Sequence, residues 1–148
     1  MNQQLIDIKL RQRAEDGIWD INIDSDGDLE KDDGFGTTIA MSIIGRRRAT
    51  AGEVITPQNR GGWLGNLLSD VPGFEMGSKT WLRNQSRMPP NTPAQIKNDI
   101  QEGLQWMIDD GLAENIIVTA SQNGDSIQVE INVDGESFFF DAWNNTRI

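Results

Sequence analysis

The chain contains no cysteine, no histidine and no tyrosine. Without cysteine there is no disulfide framework, no thiol nucleophile and no thiolate metal site. Without histidine there is no imidazole base and no histidine-ligated zinc or haem. Together these absences exclude Ser-His-Asp and Cys-His catalysis and most transition-metal mechanisms. What remains is carboxylate, lysine, hydroxyl or backbone chemistry, or no chemistry at all.

Basic residues are also few, since 13 Lys and Arg face 23 Asp and Glu and give a formal charge of −10. General binding to nucleic acid depends on lysines and arginines that release counterions, so we expect no nucleic-acid partner. The basic residues cluster once, in the "GRRRAT" segment from Gly45 to Thr50. That cluster is either the solvated end of a helix or a contact for an acidic protein partner.

Long apolar runs are absent as well. No run approaches the roughly 18 residues of a membrane span, which predicts that no membrane is involved. Hydrophobic residues make up 36% of the 148 positions and charged residues 24%, so a folded domain is expected. The length suits one domain with a single core, spanning residues 1–148, of which residues 1–17 form a candidate extended arm.

The segment Asn22–Asp33, "NIDSDGDLEKDD", resembles a calcium-binding EF-hand loop in its spacing of oxygen-bearing side chains. Asp33 occupies the last position, where the EF-hand has a bidentate glutamate. The preceding segment Gly17–Asp24 alternates apolar and polar residues, which predicts a strand, whereas an EF-hand loop joins two helices. We therefore interpret the segment as a β-hairpin tip turned by Asp26-Gly27, with a calcium site as the alternative.

Two helices are predicted. The first runs from about Phe35 to Ala49, with its arginines in the last turn. A long connection, Thr50–Pro72, and one helical turn around Trp81 follow. The second helix begins with Thr92 as N-cap, Pro93 at the first helical position and Gln95 closing a capping box. Its apolar stripe consists of Ile96, Ile100, Leu104, Met107 and Ile108. Gly111 is the expected C-terminal stop.

Three strands are predicted after this helix, in "ENIIVTAS", "DSIQVEINVD" and "SFFFDAW". Asn123-Gly124 and Asp134-Gly135 separate them as hairpin turns. In the middle strand Ile127, Val129 and the following alternate residues are apolar, which predicts one buried and one solvated face. The fold class is therefore α+β: an antiparallel C-terminal β-meander packed against a long helix, with an N-terminal β-hairpin and a second helix.

Paired carboxylates raise the possibility of a glycosidase, which needs two acids flanking a sugar bond. Glu75 is the best-placed acid, with Glu102, Asp109 and Asp110 as alternatives. Since 23 residues are acidic, some pair is bound to occur by chance. A hydrolase stays an alternative only.

Five tryptophans are the remaining signal. Trp106 and Trp143 fit core positions. Trp63 stands in "RGGWLG", where glycines allow the backbone to approach another surface closely. Because exposed Trp and Arg are typical interface anchors, Trp63 with Arg60 is the leading candidate for a partner contact.

The order of these motifs resembles the Mu-type phage tail baseplate wedge family, from about Ile18 to Trp143. The fragments that carry the resemblance are "DGFGTTIAMSIIGRRRA", "RGGWLGN", "GSKTWLRNQSR", "WMIDDGLAENIIVTAS" and "FFFDAW". The family often has Arg-Gly-Trp-Trp where this chain has Gly61-Gly62-Trp63-Leu64, so Leu64 stands in place of the second tryptophan.

This resemblance implies a structural wedge subunit of a contractile-tail baseplate, similar to the T-even phage wedge protein and its type VI secretion counterpart. It implies a non-enzymatic virion component, assembled in the host cytoplasm, and from the residues themselves we expect no cofactor and no metal. The implied partners are larger wedge proteins and the initiators of tail sheath or tube; a muralytic, lysozyme-like enzyme is the alternative. Strand addition at "ESFFFDAWNNTRI" is one docking mode. The expected interface residues are Arg60, Gly61, Gly62, Trp63, Trp81, Arg83, Phe138, Phe140 and Trp143.

Overall fold

The computed structural model describes residues 7–32, 34–85 and 89–144, with side chains at all of these except positions 84, 85, 143 and 144. The described elements, in chain order, are β1 Asp7–Ile8, β2 Leu10–Gln12, β3 Trp19–Ile21, β4 Lys31–Asp32, α1 Gly36–Ile44, α2 Thr92–Asp109, β5 Ile116–Asn123, β6 Ser126–Val133 and β7 Glu136–Asn144. Short 3₁₀ helices span Pro57–Asn59, Leu64–Leu67 and Thr80–Gln85. The predicted α+β class is confirmed.

The C-terminal strands form an antiparallel sheet of order β5-β6-β7. In β6 the side chains of Ile127, Val129, Ile131 and Val133 are all 1% exposed or less, which confirms the predicted buried face. Both predicted turns are present, and in the second Asp134 and Gly135 have φ values of 51° and 98°. Such positive φ values match the right-handed twist of the flanking strands.

Helix α2 packs on this sheet through the predicted stripe, in which Ile96, Ile100, Leu104 and Met107 have no exposed surface. At its end Gly111 has φ +72°, and Leu112 N–H donates to the Met107 carbonyl (2.8 Å), the geometry of a Schellman C-cap. The predicted N-cap is wrong. Gln95 N–H donates to the Asn91 carbonyl (3.1 Å), so the helix begins one residue earlier than expected. Neither Thr92 nor Gln95 caps the helix, and the buried Thr92 hydroxyl has no hydrogen-bond partner within the described residues.

Helix α1 is shorter than predicted and ends at Ile44, so the arginines of the "RRR" run lie beyond its last turn. Its N-terminus is capped from outside the helix. The buried carboxylate of Asp32 accepts hydrogen bonds from Gly34 N–H (3.1 Å) and Thr37 N–H (2.5 Å). Because Asp32 belongs to β4, this contact joins the N-terminal strands to α1.

The N-terminal part is built from two short ribbons, since β1 pairs with β4 and β2 pairs with β3, both antiparallel. The predicted strand Gly17–Asp24 is regular only at Trp19–Ile21, with a further bridge between Ile23 and Leu29. Gly27 N–H donates to the Asp24 carbonyl (3.2 Å), which forms the predicted hairpin tip. Residues 7–12 of the segment expected to be an extended arm take part in this pairing.

Candidate partner-binding site

Trp81 is the centre of a layered contact between three chain segments. Its indole N–H donates to the Arg47 carbonyl (2.9 Å), and the Arg46 guanidinium carbon lies 5.6 Å from the ring centroid. In the third segment, "RGGW", Gly61 has φ +64°, and a Cβ added there would lie 2.7 Å from Trp81 Cζ2. Only glycine fits that approach. Trp81 is half-buried and contacts the other two segments.

Arg60 joins the "RRR" run to the "RGGW" segment. Its Nε donates to the Ala49 carbonyl (2.6 Å), while Ala49 N–H donates to the Arg60 carbonyl (2.8 Å). Two residues further on, a Cβ at Gly62 would lie 3.5 Å from Arg48 Cβ. The two segments, distant in sequence, therefore form one surface.

Trp63 begins an exposed apolar stretch. Its side chain is 47% exposed, and its ring covers Gly65, where a Cβ would lie only 2.2 Å from Cη2. The apolar residues that follow are more exposed still: Leu64 73%, Leu67 75%, Leu68 79% and Val71 62%. A run of this kind is unusual on a free surface and is typical of a protein contact.

Arg83 is turned inward. Its Nε and Nη2 donate to the two carboxylate oxygens of Asp99 at 2.8 and 3.1 Å, and Asp99 is buried. These hydrogen bonds raise the pKa of the Arg83 guanidinium above its ordinary value. The pair fixes the Thr80–Gln85 turn to α2.

Arg47 holds two of the candidate catalytic acids. Its guanidinium lies 3.2 Å from Glu102 Oε1 and 3.8 Å from Glu75 Oε2, and it also donates to the Glu75 carbonyl (3.2 Å). A glycosidase needs one acid that holds a proton in an apolar setting. Glu75 and Glu102 are instead exposed and face a cation. Asp109, also exposed, accepts a hydrogen bond from Gln105 (3.0 Å), and Asp110 is exposed at the helix end.

The expected aromatic contacts on β7 differ in exposure. Phe140 is buried and its ring centroid lies 6.1 Å from that of Trp19, while Phe138 is half-buried. Trp143 lies opposite Ile127 in the sheet, but its side chain is outside the described part. The aromatic that β7 presents to solvent is Phe139, 73% exposed. Strict alternation along "SFFFD" was the signal that could have identified it.

The edge of β7 and strand β2 line an open cleft of about 1000 Å³. Across it the Gln12 side chain bonds to β7, since its Nε2 donates to the Asp141 carbonyl (3.0 Å) and its Oε1 accepts Asp141 N–H (2.9 Å). The amide thus imitates the backbone of a neighbouring strand at one position.

Two carboxylates of the Asn22–Asp33 segment, those of Asp24 and Glu30, are bonded to nearby N–H groups and cations. Asp24 Oδ1 accepts the N–H groups of Asp26 and Asp28 at 2.9 and 3.1 Å. Glu30 bonds to Arg11 and Asn22, and these hydrogen bonds, Arg11 foremost, lower the pKa of its carboxyl to about 2. Asp33, the expected last ligand, lies outside the described residues. Within the described ranges no three acidic side chains are grouped as metal ligands would be.

None of the helices in the described ranges is both long and apolar enough to cross a membrane. The model of the family described as phage protein GP46 matches residues 35–137, well over half of the chain. The chain belongs to that family. The match includes α1, the Trp81 contact, the exposed stretch, α2 and most of the C-terminal sheet.

Two relatives connect the chain with Mu-like phages, and one of them is named as a baseplate protein. The baseplate protein gp46 of Escherichia phage Mu is 30% identical over 111 residues, which cover 74% of this chain and 68% of that protein. The Mu-like prophage FluMu protein gp46 of Haemophilus influenzae is 35% identical over 60 residues, 40% of this chain and 43% of the relative. The predicted Mu-type baseplate family is thus confirmed.

Proposed function

We propose that the chain is a structural, non-enzymatic subunit of the wedge of a contractile phage tail baseplate. In this role it binds larger wedge proteins and helps to initiate sheath assembly. Family membership and the baseplate protein of phage Mu support the baseplate setting. The proposed contacts are the Arg60–Trp63 segment, with Trp81 as its support, and the edge of β7 at Ser137 and Phe139.

The free edge of β7 is the observation that carries a partner-binding role. Both backbone polar groups of Asp141 point away from β6, because both bond to Gln12. The N–H and C=O groups of successive residues point to opposite sides of a strand. The backbone groups of Phe139 and Ser137 therefore point to the same open edge as those of Asp141. Within the described residues no backbone group of another element bonds to either of them.

An unpaired edge of this kind is a template for an extended segment of a partner. Gln12 occupies the pairing position at Asp141, so an added strand would pair at Phe139 and Ser137 and end there. The exposed Phe139 ring would give the added strand an apolar contact beside the backbone bonds.

Hydrogen exchange on a reconstituted complex tests this proposal. The chain is mixed with purified wedge proteins of the same phage, and complexes are isolated by size exclusion. We expect the amide hydrogens of Phe139 and Ser137 to exchange fast in the free chain and slowly in the complex. A complex in which both amides stay fast would exclude strand addition, and failure of every wedge protein to bind would exclude the wedge role.

The muralytic alternative has its own experiment. Zymography on purified cell wall should show no clearing by the isolated chain. Clearing that is abolished by Glu75→Gln would overturn the non-enzymatic part of the proposal.

A further inference from the structure

The Trp81 contact assembles a surface that is basic on an acidic protein. Arg46 lies over the Trp81 ring, Arg48 lies against Gly62, and Arg60 bonds to Ala49. These contacts bring the three arginines around the Gly61-Gly62 turn. The exposed Trp63 follows this turn directly, and the 3₁₀ helix Leu64–Leu67 then carries the exposed Leu67 and, at its end, Leu68. We call these six residues the arginine-rimmed surface.

The charges of its arginines are not compensated within the described part of the chain. No carboxylate there forms an ion pair with Arg46, Arg48 or Arg60: Arg46 lies over the Trp81 ring, Arg48 lies against Gly62, and Arg60 donates to the Ala49 carbonyl. Arg47, in the same run, pairs with both Glu75 and Glu102. Carboxylates therefore lie within reach of this run, but none in the described residues forms an ion pair with Arg46, Arg48 or Arg60.

Glu53, the acidic residue that follows this run in the chain, is paired elsewhere. Glu53 is held by Lys79 (3.1 Å) and by Thr50 N–H (2.7 Å), whose backbone hydrogen bond is the largest cause that lowers the pKa of its carboxyl. The surface is therefore a cationic patch on a chain of net charge −10. Such a patch attracts carboxylates and repels cations, and it orients a partner as well as accelerating its approach.

We propose that the arginine-rimmed surface binds a protein segment in which carboxylates flank apolar side chains, and that this segment belongs to a partner in the baseplate. The inference rests on the proposed function and adds the chemistry of the partner. Leu67 and Leu68, 75% and 79% exposed, take the apolar side chains of the partner, and Arg46 and Arg48 take its carboxylates. The net charge disfavours DNA at the same surface, because its phosphates meet the field of the whole chain.

Affinity measurements with matched variants test the assignment. The purified wedge proteins of the same phage are titrated against the chain by calorimetry at low and moderate salt. Arg48→Gln is compared with Lys31→Gln, which also removes one exposed cation but in β4. Leu68→Ser is compared with Ile117→Ser on the outer face of the sheet. Arg48→Lys keeps the charge, and circular dichroism verifies that every variant is folded.

We expect Arg48→Gln to weaken binding about 3- to 10-fold at low salt and less at moderate salt, and Leu68→Ser about 10-fold. Arg48→Lys should restore most of the affinity, and both control variants should bind as the natural chain does. Binding that none of these variants changes would overturn this inference and leave the wedge role standing. If no wedge protein binds the chain, both this inference and the proposed wedge role are overturned. Self-association, or binding to duplex DNA, that Arg48→Gln abolishes would assign the surface to a different partner and overturn the inference as well.

Discussion

Arg83 and Asp99 form a forked ion pair in which two guanidinium nitrogens meet two carboxylate oxygens at 2.8 and 3.1 Å. The Asp99 side chain is only 8% exposed, whereas the Arg83 side chain is 26% exposed. The carboxylate therefore depends on this arginine for its compensation. The pair also anchors the turn that carries Trp81, so it supports the arginine-rimmed surface from within the molecule.

Arg83→Ala should destabilise the fold strongly, because it leaves the buried Asp99 carboxylate unpaired. Removing one partner of a fully buried pair costs about 3–5 kcal/mol; since water reaches Arg83, we expect about 2–3 kcal/mol. Urea unfolding should show a lower midpoint with an unchanged slope. Arg48→Ala is the control and should change stability by less than about 0.5 kcal/mol. Equal effects of the two variants would show that the ion pair contributes nothing.

Gly77→Ala should destabilise the junction between α1 and the Trp81 turn. Gly77 has φ +108°, and a Cβ there would lie 2.4 Å from the Gly45 carbonyl oxygen, which also accepts Ser78 N–H (2.8 Å). Because the clash is with backbone, we expect a loss of more than about 2 kcal/mol. Gly73→Ala shares the positive φ but meets nothing within 4 Å, so it should cost only about 1 kcal/mol. Thermal denaturation of both variants measures the difference.

The sequence predicted the C-terminal half well because its signals are local. Alternation in β6, the Asp134-Gly135 turn and the stop at Gly111 each depend on residues within a few positions of one another. The Thr92 N-cap was wrong for an equally local reason. Asn91 and Thr92 are adjacent residues of similar capping strength, and the pattern alone does not choose between them.

The candidate site was only partly predictable, because its contacts join residues far apart in the chain. Trp63 stands out in the sequence through its glycine neighbours, but the packing of Gly61 against Trp81 joins two segments whose contact no periodicity describes. Arg47 shows the same limit. Its ion pairs with Glu75 and Glu102 depend on the folded path of the Thr50–Pro72 connection, and the three arginines look alike in sequence.

Leu104→Ala tests whether the α2 stripe is the core that supports both proposed contact surfaces. Leu104 is fully buried, so the substitution removes apolar contacts and leaves a cavity; we expect a loss of about 2–5 kcal/mol. Leu67→Ala makes the same chemical change at a residue that is 75% exposed and should alter stability by less than about 0.5 kcal/mol. Chemical denaturation of the pair separates burial from residue type. Similar losses in both variants would contradict the assignment of Leu67 to the surface.

Glu30 should make the N-terminal hairpin sensitive to acid. Its carboxyl has a pKa lowered to about 2, first by the hydrogen bond from Arg11 and then by that from Asn22. The ordinary pKa of glutamate is about 4.3. A depressed pKa in the folded state means that the ionised form is favoured by folding. The resulting stability is complete above about pH 4.3 and is lost as the pH falls toward 2.

Carboxyl chemical shifts in an NMR titration measure the effect at Glu30 directly. In the natural chain Glu30 should titrate near pH 2. In Arg11→Gln the pKa of Glu30 should rise toward the ordinary value, because the hydrogen bond from Arg11 and the positive charge of Arg11 are both lost. The acid unfolding curves should differ accordingly, with Arg11→Gln losing less stability between pH 4.3 and 2. Glu30→Gln, which cannot ionise, should show no contribution from this position. Titration of Glu30 near pH 4.3 in both proteins would show that the ion pair does not persist in solution.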